Sequence, residues 1–218
     1  MNFRKGVDRV IGRYFSEPNY FKIDGRPVFS VFSLDELIAS FDGDLERARK
    51  GMEYFREKTR EAGFPDLCLQ IMTFAATAER AKAIGVDCTT QYGWATTRRE
   101  DYLQWAAEGT EATEAMADAF GVPHFPSVSV GWDDTPRFPA KGKADVVHHN
   151  VTPQAFAAAL QRAKEYCDAR PDQPKIITIY AFNEWVEGAY LLPDMRYGFG
   201  YLEAVRDVLD GKYDRYKE

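Results

Sequence analysis

Residues 177–194 read ITIYAFNEWVEGAYLLPD. The first half alternates β-branched and aromatic residues, the pattern of a buried strand. It then delivers Asn183, Glu184, Trp185 and Glu187 in quick succession, followed by Gly188. In a continuing strand Glu184 and Glu187, three positions apart, would point to opposite faces. They reach one site only if the chain turns between them, and Gly188 makes a turn nearby easy. Two carboxyl groups at the end of a buried strand are what acid/base cleavage of a glycosidic bond requires: one protonates the leaving oxygen, the other acts as nucleophile or base. Trp185 or Tyr190 can supply the apolar wall that separates their roles. The plainer reading of the same residues is a polar loop in which one Glu caps the next helix.

Working outward, strands and helices alternate along the chain. Strands are predicted over 26–32, 66–72, 86–94, 124–132 and 175–182. Between them lie a helix marked by Leu45, Ala48, Met52, Phe55 and Thr59 and closed by Gly63, and a short one over 77–85. A helical region over 100–120, interrupted near Gly109, comes next. A helix opened by Thr152-Pro153 and lined by Phe156, Leu160, Ala163 and Cys167 follows. Val7, Val10, Ile11 and Tyr14 form an initial helical stripe, and Leu202, Val205 and Leu209 a last helix stopped by Gly211. Alternation of this kind implies parallel pairing with right-handed crossovers. Polar and aromatic residues gather at the carboxyl ends of the later strands (Tyr92 and Trp94, Trp132 and Asp133, Asn183 to Glu187). A (β/α)8 barrel of the TIM type places its active site on that edge. The fold expected is therefore α/β of that type, with about five parallel strands and their helices present, short of the eight a closed barrel needs. One domain over residues 1–218 is expected. No glycine-rich phosphate turn follows any strand, so a nucleotide-binding sheet lacks its signature.

Composition narrows the function classes. The chain has 218 residues, 45% hydrophobic and 28% charged, as in ordinary globular proteins. A net charge of −6 with scattered Lys and Arg argues against a nucleic-acid surface. No apolar run reaches the length of a membrane span, and residues 1–15 do not read as a signal peptide, so a cytoplasmic location is expected. The three cysteines, Cys68, Cys88 and Cys167, are odd in number and far apart, which points to buried thiols rather than a disulfide framework. The adjacent pair His148-His149 and the lone His124 lack metal-ligand spacing, so no metal or other cofactor is expected. No GxSxG elbow occurs. Tyr14, Phe15, Tyr20, Phe21 and Phe29 are assigned to the core.

The stretch GWDDTPR (131–137) is a second constellation. Trp132 offers a flat face for a sugar ring, Asp133 or Asp134 can accept hydroxyl hydrogen bonds, and Arg137 can orient a carboxylate. Its plainer reading is a Thr-Pro turn with an Asx cap.

NEWVEGAYLLPD closely resembles a signature of the glycoside hydrolase family 99-like proteins, which include the WbsX-like proteins of bacterial polysaccharide gene clusters. YFSEPNYFKIDGRPVFSVF, GWDDTPR, the Thr-Pro helix start and YGFGYLEAV match in the same order, so the resemblance spans nearly the whole chain. It implies a barrel acting on oligo- or polysaccharides through retaining, metal-independent chemistry. By resemblance Glu184 deprotonates the sugar's own 2-hydroxyl, which displaces the leaving group, and Glu187 is the acid/base. Asn183, Trp185, Tyr92, Trp94, Trp132, Asp133 and Arg137 would bind substrate. Val186 stands where characterised mannosidases carry His, so a contact is lost. Family members carry further strands before the segment matched here, and their absence would expose strand edges open to self-association. Two other functions fit the same resemblance. One is a glycosyltransferase of lipopolysaccharide assembly, whose diphosphate site would have to use Asp42–Asp44 (read as a helix entrance) or Asp133-Asp134. The other is a carbohydrate-binding remnant without turnover.

Overall fold

A computed structural model describes residues 3–94, 100–138 and 147–216, which group into two compact units. The first holds residues 1–90 and 117–124; the second holds 91–116 and 125–218.

In the first unit, helix α1 (Phe3–Val10) runs into a π-turn at Ile11–Phe15. Strands β1 (Lys22–Ile23) and β2 (Arg26–Val31) pair antiparallel around Asp24 and Gly25, both at positive φ. Helices α2 (Leu34–Ala39) and α3 (Leu45–Glu61), strand β3 (Cys68–Met72), helix α4 (Ala78–Ala83) and strand β4 (Cys88–Thr90) follow. Polar side chains open these helices by accepting from otherwise unsatisfied first-turn N–H groups. Ser33 accepts from Glu36 N, Asp44 from Glu46 N and Arg47 N, and Thr77 from Arg80 N. Asp42–Asp44 is thus a helix entrance: Asp44 caps α3 and Asp42 pairs with Arg47. The sheet runs β1-β2-β3-β4-β5, with β5 (His124–Phe125) where the chain passes into the second unit. β2 pairs with β3 and β3 with β4 in parallel, at Val28↔Cys68 and Gln70↔Cys88. Phe15, Leu34, Ile38, Met52, Phe55, Leu67, Leu69 and Ile71 form the core.

In the second unit, α5 (Tyr102–Phe120, through Met116) and α6 (Pro153–Asp168) accompany the parallel pair β6 (Ser127–Ser129) and β7 (Thr178–Tyr180), in register at Val128↔Ile179. Thr152 caps α6 by accepting from Ala155 N, with Pro153 in the first turn. Beyond β7 come β8 (Asn183–Glu184), a 3₁₀ turn (Trp185–Glu187) and β9 (Ala189–Tyr190), then helix α7 (Gly200–Leu209). Trp94, Tyr102, Trp105, Val128, Phe156, Leu160 and Tyr201 lie in the core.

Five strands (β2, β3, β4, β6 and β7) therefore pair in parallel among the described residues. Several details depart from the sequence reading. Gly109 does not interrupt α5: it is the floor on which the Trp94 indole rests, where an added Cβ would lie 2.5 Å from the ring. The strand expected over 86–94 is only Cys88–Thr90, and that over 124–132 splits at Pro126, which lacks the N–H a continuous strand would donate. Tyr14 and Phe21 are half-exposed rather than core. α2 and the β8–β9 hairpin have no counterpart in the sequence pattern. The three thiols are buried and free, with Cys68 and Cys88 Sγ atoms 3.7 Å apart. Among the described residues no helix is long and apolar enough to cross a membrane.

Candidate active site

The site is built on the end of β7. Tyr180 closes that strand, its carbonyl accepting from Val130 N at 2.7 Å, and the Tyr180–Ala181 peptide is cis. The chain continues into β8, so Glu184 is still extended and pairs with Ala189. Trp185–Glu187 then coils into one 3₁₀ turn, and Gly188 reverses the chain at φ +60. A side chain at Gly188 would be strained by that dihedral and would press on Asp133, because an added Cβ would sit 3.0 Å from both its Cβ and its N. Glu184 thus lies on the strand before the turn and Glu187 within it, so the two are not successive members of one continuing strand.

Glu187 is the buried member of the pair. Its side chain is 7% exposed, and each carboxylate oxygen has its own donor: the Arg137 guanidinium on Oε1 and the Tyr180 phenol on Oε2. The backbone is held too, because Glu187 O accepts from Asp133 N at 2.8 Å. Arg137 stands at the end of a tight turn whose carbonyl pivot is Asp134 O, which accepts from both Arg137 N and Phe138 N at 3.1 Å. Asp133 Oδ1 caps the start of that turn by accepting from Thr135 N at 2.9 Å. The Asx-capped Thr-Pro turn and the carboxylate-orienting arginine, alternatives in the sequence, are one structure here: the turn is what presents the arginine. Asp134 is buried and Asp133 half-buried.

Aromatic rings pack on the Tyr180 that holds Glu187. Tyr180 lies 4.9 Å from the Tyr92 ring and 6.3 Å, nearly parallel, from that of Trp132. Tyr92 is about half-exposed. Gly93, at φ +64, leaves room for Tyr180: an added Cβ would sit 3.4 Å from its ring and 3.2 Å from Ser129 Oγ. Trp185 is half-exposed and stacks at 4.1 Å on Tyr190, so the two rings close the hairpin on each other. Burial, then the nearby Asp194 carboxylate, push the Tyr190 phenol above its usual range, keeping it neutral. Asn183 is exposed, opposite Tyr190 in the hairpin.

Trp94 is not part of this group. It is 5% exposed, its indole N–H donates to Ser127 O at 2.7 Å, and its ring packs on Trp105 and over Gly109. A ring so enclosed cannot stack on a sugar, which corrects the sequence assignment. His148 is buried against Trp105 while His149 is exposed, and His124 shares a 2.8 Å hydrogen bond with Thr89. Tyr180 is the residue that sequence reading missed, because a tyrosine inside ITIYAF passes for core. Its phenol was the available signal, since a buried hydroxyl nearly always finds a partner.

Residues 4–205 match the model of the family described as Glycosyltransferase WbsX, and the chain belongs to that family. It is 36% identical over 219 residues to an uncharacterized protein WxcX of Xanthomonas campestris pv. campestris strain ATCC 33913, covering 91% of this chain and 29% of that protein. A second WxcX, of strain B100, is 36% identical over 86 residues, covering 39% of this chain and 12% of the relative. The chain thus spans less than a third of the length of these curated relatives. Among solved structures it resembles the GH99 endo-alpha-mannosidase from Bacteroides thetaiotaomicron, with a TM-score of 0.62 and 16% identity, over 98% of this chain and 62% of that one. At that identity the likeness shows the fold: an α/β fold of the (β/α)8-barrel type, with part of its strands among the described residues.

Proposed function

We propose that these residues carry the acid/base centre of an enzyme that cleaves glycosidic bonds in oligo- or polysaccharides. The observation that carries this reading is Glu187: a buried carboxylate at a strand's carboxyl end, gripped on both oxygens, with a second glutamate one turn earlier and aromatic rings beside it. The fold shared with a protein named as an endo-alpha-mannosidase supports it. Glu184 takes the proton of the sugar's 2-hydroxyl as that oxygen bonds to C1. The bond from C1 to the leaving oxygen breaks, and Glu187 supplies the leaving oxygen's proton. Water then attacks C1, giving a proton to Glu187, as the C1–O2 bond breaks and Glu184 returns its proton to O2. Substrate-assisted retention of this kind lies outside the usual two-carboxylate scheme. Trp132, Tyr92 and Trp185 offer faces for sugar rings, and Asp133 and Asn183 partners for hydroxyls.

The test is Glu187→Gln in the full native chain, assayed on α-mannosides and bacterial oligosaccharides. Turnover is expected to fall about a hundredfold or more while thermal unfolding stays cooperative. Wild-type rates in this variant remove Glu187 from the reaction. The family's description as glycosyltransferases favours a second reading, sugar transfer from an activated donor at the same carboxylates. Calorimetric binding of a nucleoside diphosphate sugar, with no hydrolysis of any glycan in the panel, selects the transferase. Sugar binding that survives Gln at both glutamates, with no turnover in the wild type, selects a carbohydrate-binding role.

A further inference from the structure

We infer that Tyr180 is a positioning residue for Glu187, and that Glu187 exchanges its proton through Oε1 while Tyr180 retains Oε2. The inference rests on the acid/base assignment of Glu187 above. Its basis is an asymmetry between the two donors. Tyr180 is 9% exposed and Arg137 is 49% exposed at its side chain. The tyrosine has no freedom to leave. Its carbonyl is tied to Val130 N at 2.7 Å, its ring lies beside those of Tyr92 and Trp132, and the bare Cα of Gly93 is fitted against it. Arg137, by contrast, reaches Glu187 from a solvent-facing turn on a long, flexible side chain. A saccharide arriving from solvent can displace the guanidinium from Oε1, but not the phenol from Oε2. The inner donor therefore fixes the carboxyl plane, and the outer oxygen meets the glycosidic oxygen.

This division has a chemical consequence. When Glu187 hands its proton from Oε1 to the departing oxygen, the negative charge that forms on the carboxylate is met at once by the Tyr180 O–H. A donor already in place needs no reorganisation at that moment. Its loss should be felt where proton donation matters, and little where the leaving group departs unaided.

The experiment compares Tyr180→Phe with wild type on two substrates: α-mannotetraose, whose leaving group is a sugar hydroxyl, and dinitrophenyl α-mannobioside, whose leaving group needs no proton. The expected result is a fall of about ten- to hundredfold in kcat on the tetraose, KM within about twofold, and a few-fold fall at most on the aryl glycoside. A residue that only supports the fold would depress both rates by one factor, and that outcome overturns the inference. A second measurement does not depend on turnover. In protein labelled with ¹³C at the Glu side-chain carboxyl, the Glu187 resonance is identified by its disappearance in Glu187→Gln. Tyr180→Phe should move that resonance, and addition of mannotetraose should release Arg137 from the carboxyl without releasing Tyr180. If the wild type cleaves neither these substrates nor any glycan of the panel above, the hydrolase reading fails, and the resonance decides Tyr180 separately. An unmoved Glu187 signal in Tyr180→Phe overturns the positioning role whatever the kinetics.

Discussion

Two arginines, Arg56 and Arg137, each meet a carboxylate, and they do so under opposite conditions. Arg56 in the first unit is 15% exposed and spends its donors on four acceptors: Asp66, Asp87, and the carbonyls of Leu67 and Gly85. Asp87 in turn accepts from Leu69 N at 2.7 Å and from Arg26. All these acceptors belong to the chain itself, so the cluster ties α3 to the starts of β3 and β4. In the second unit the burial is reversed: the carboxylate of Glu187 is enclosed and its arginine half in water. The same ion-pair chemistry makes a staple in one place and a candidate site in the other. What separates them is whether solvent, and hence a ligand, can replace one partner.

Mutations can sharpen or break that contrast. The largest expected effect on stability is Arg56→Ala. It strands Asp66 and Asp87 with reduced compensation and should cost about 3–5 kcal/mol, seen as a lower denaturant midpoint. Arg137→Ala should cost about 1 kcal/mol or less, because water takes the vacated place. Equal losses of stability in the two variants would erase the distinction. The smallest effect belongs to a third carboxylate, Asp168, which lies open to solvent. Hydrogen bonds from Lys164, then Lys175, hold its carboxyl at about 2, below the usual range. A carboxyl lowered in the folded state contributes stability above its unfolded value, and loses it as pH falls from about 4 towards 2. The Tm gap between wild type and Asp168→Asn should be small at pH 6, shrink by pH 2 and diminish in salt.

How much of this was legible in the sequence varies with range. Caps and stops act within four residues, so Asp44, Thr152 and Gly211 announced helix ends that the structure has. The chain reversal at Gly188, just after Glu187, could be read from that glycine for the same reason. Arg137 was recognisable as a group able to orient a carboxylate, but its partner lies 50 positions away, and no local pattern carries that information. Trp94 shows the limit most plainly. Its placement at a strand's carboxyl end suggested a sugar platform, whereas the gap left by Gly109 in α5 draws the ring inward. The pairing of Tyr180 with Glu187, only seven positions apart, depends on how the chain turns after β7, which alternation alone does not fix.

The backbone tie between Asp133 N and Glu187 O joins two segments more than fifty residues apart before any side chain is considered. Whoever exchanges the 131–138 loop for that of a relative, hoping to alter which glycan is accepted, will also be shifting the peptide that holds the glutamate. If Glu187 is the acid/base proposed above, selectivity and chemistry in this scaffold are mechanically linked, and would have to be engineered as one cassette.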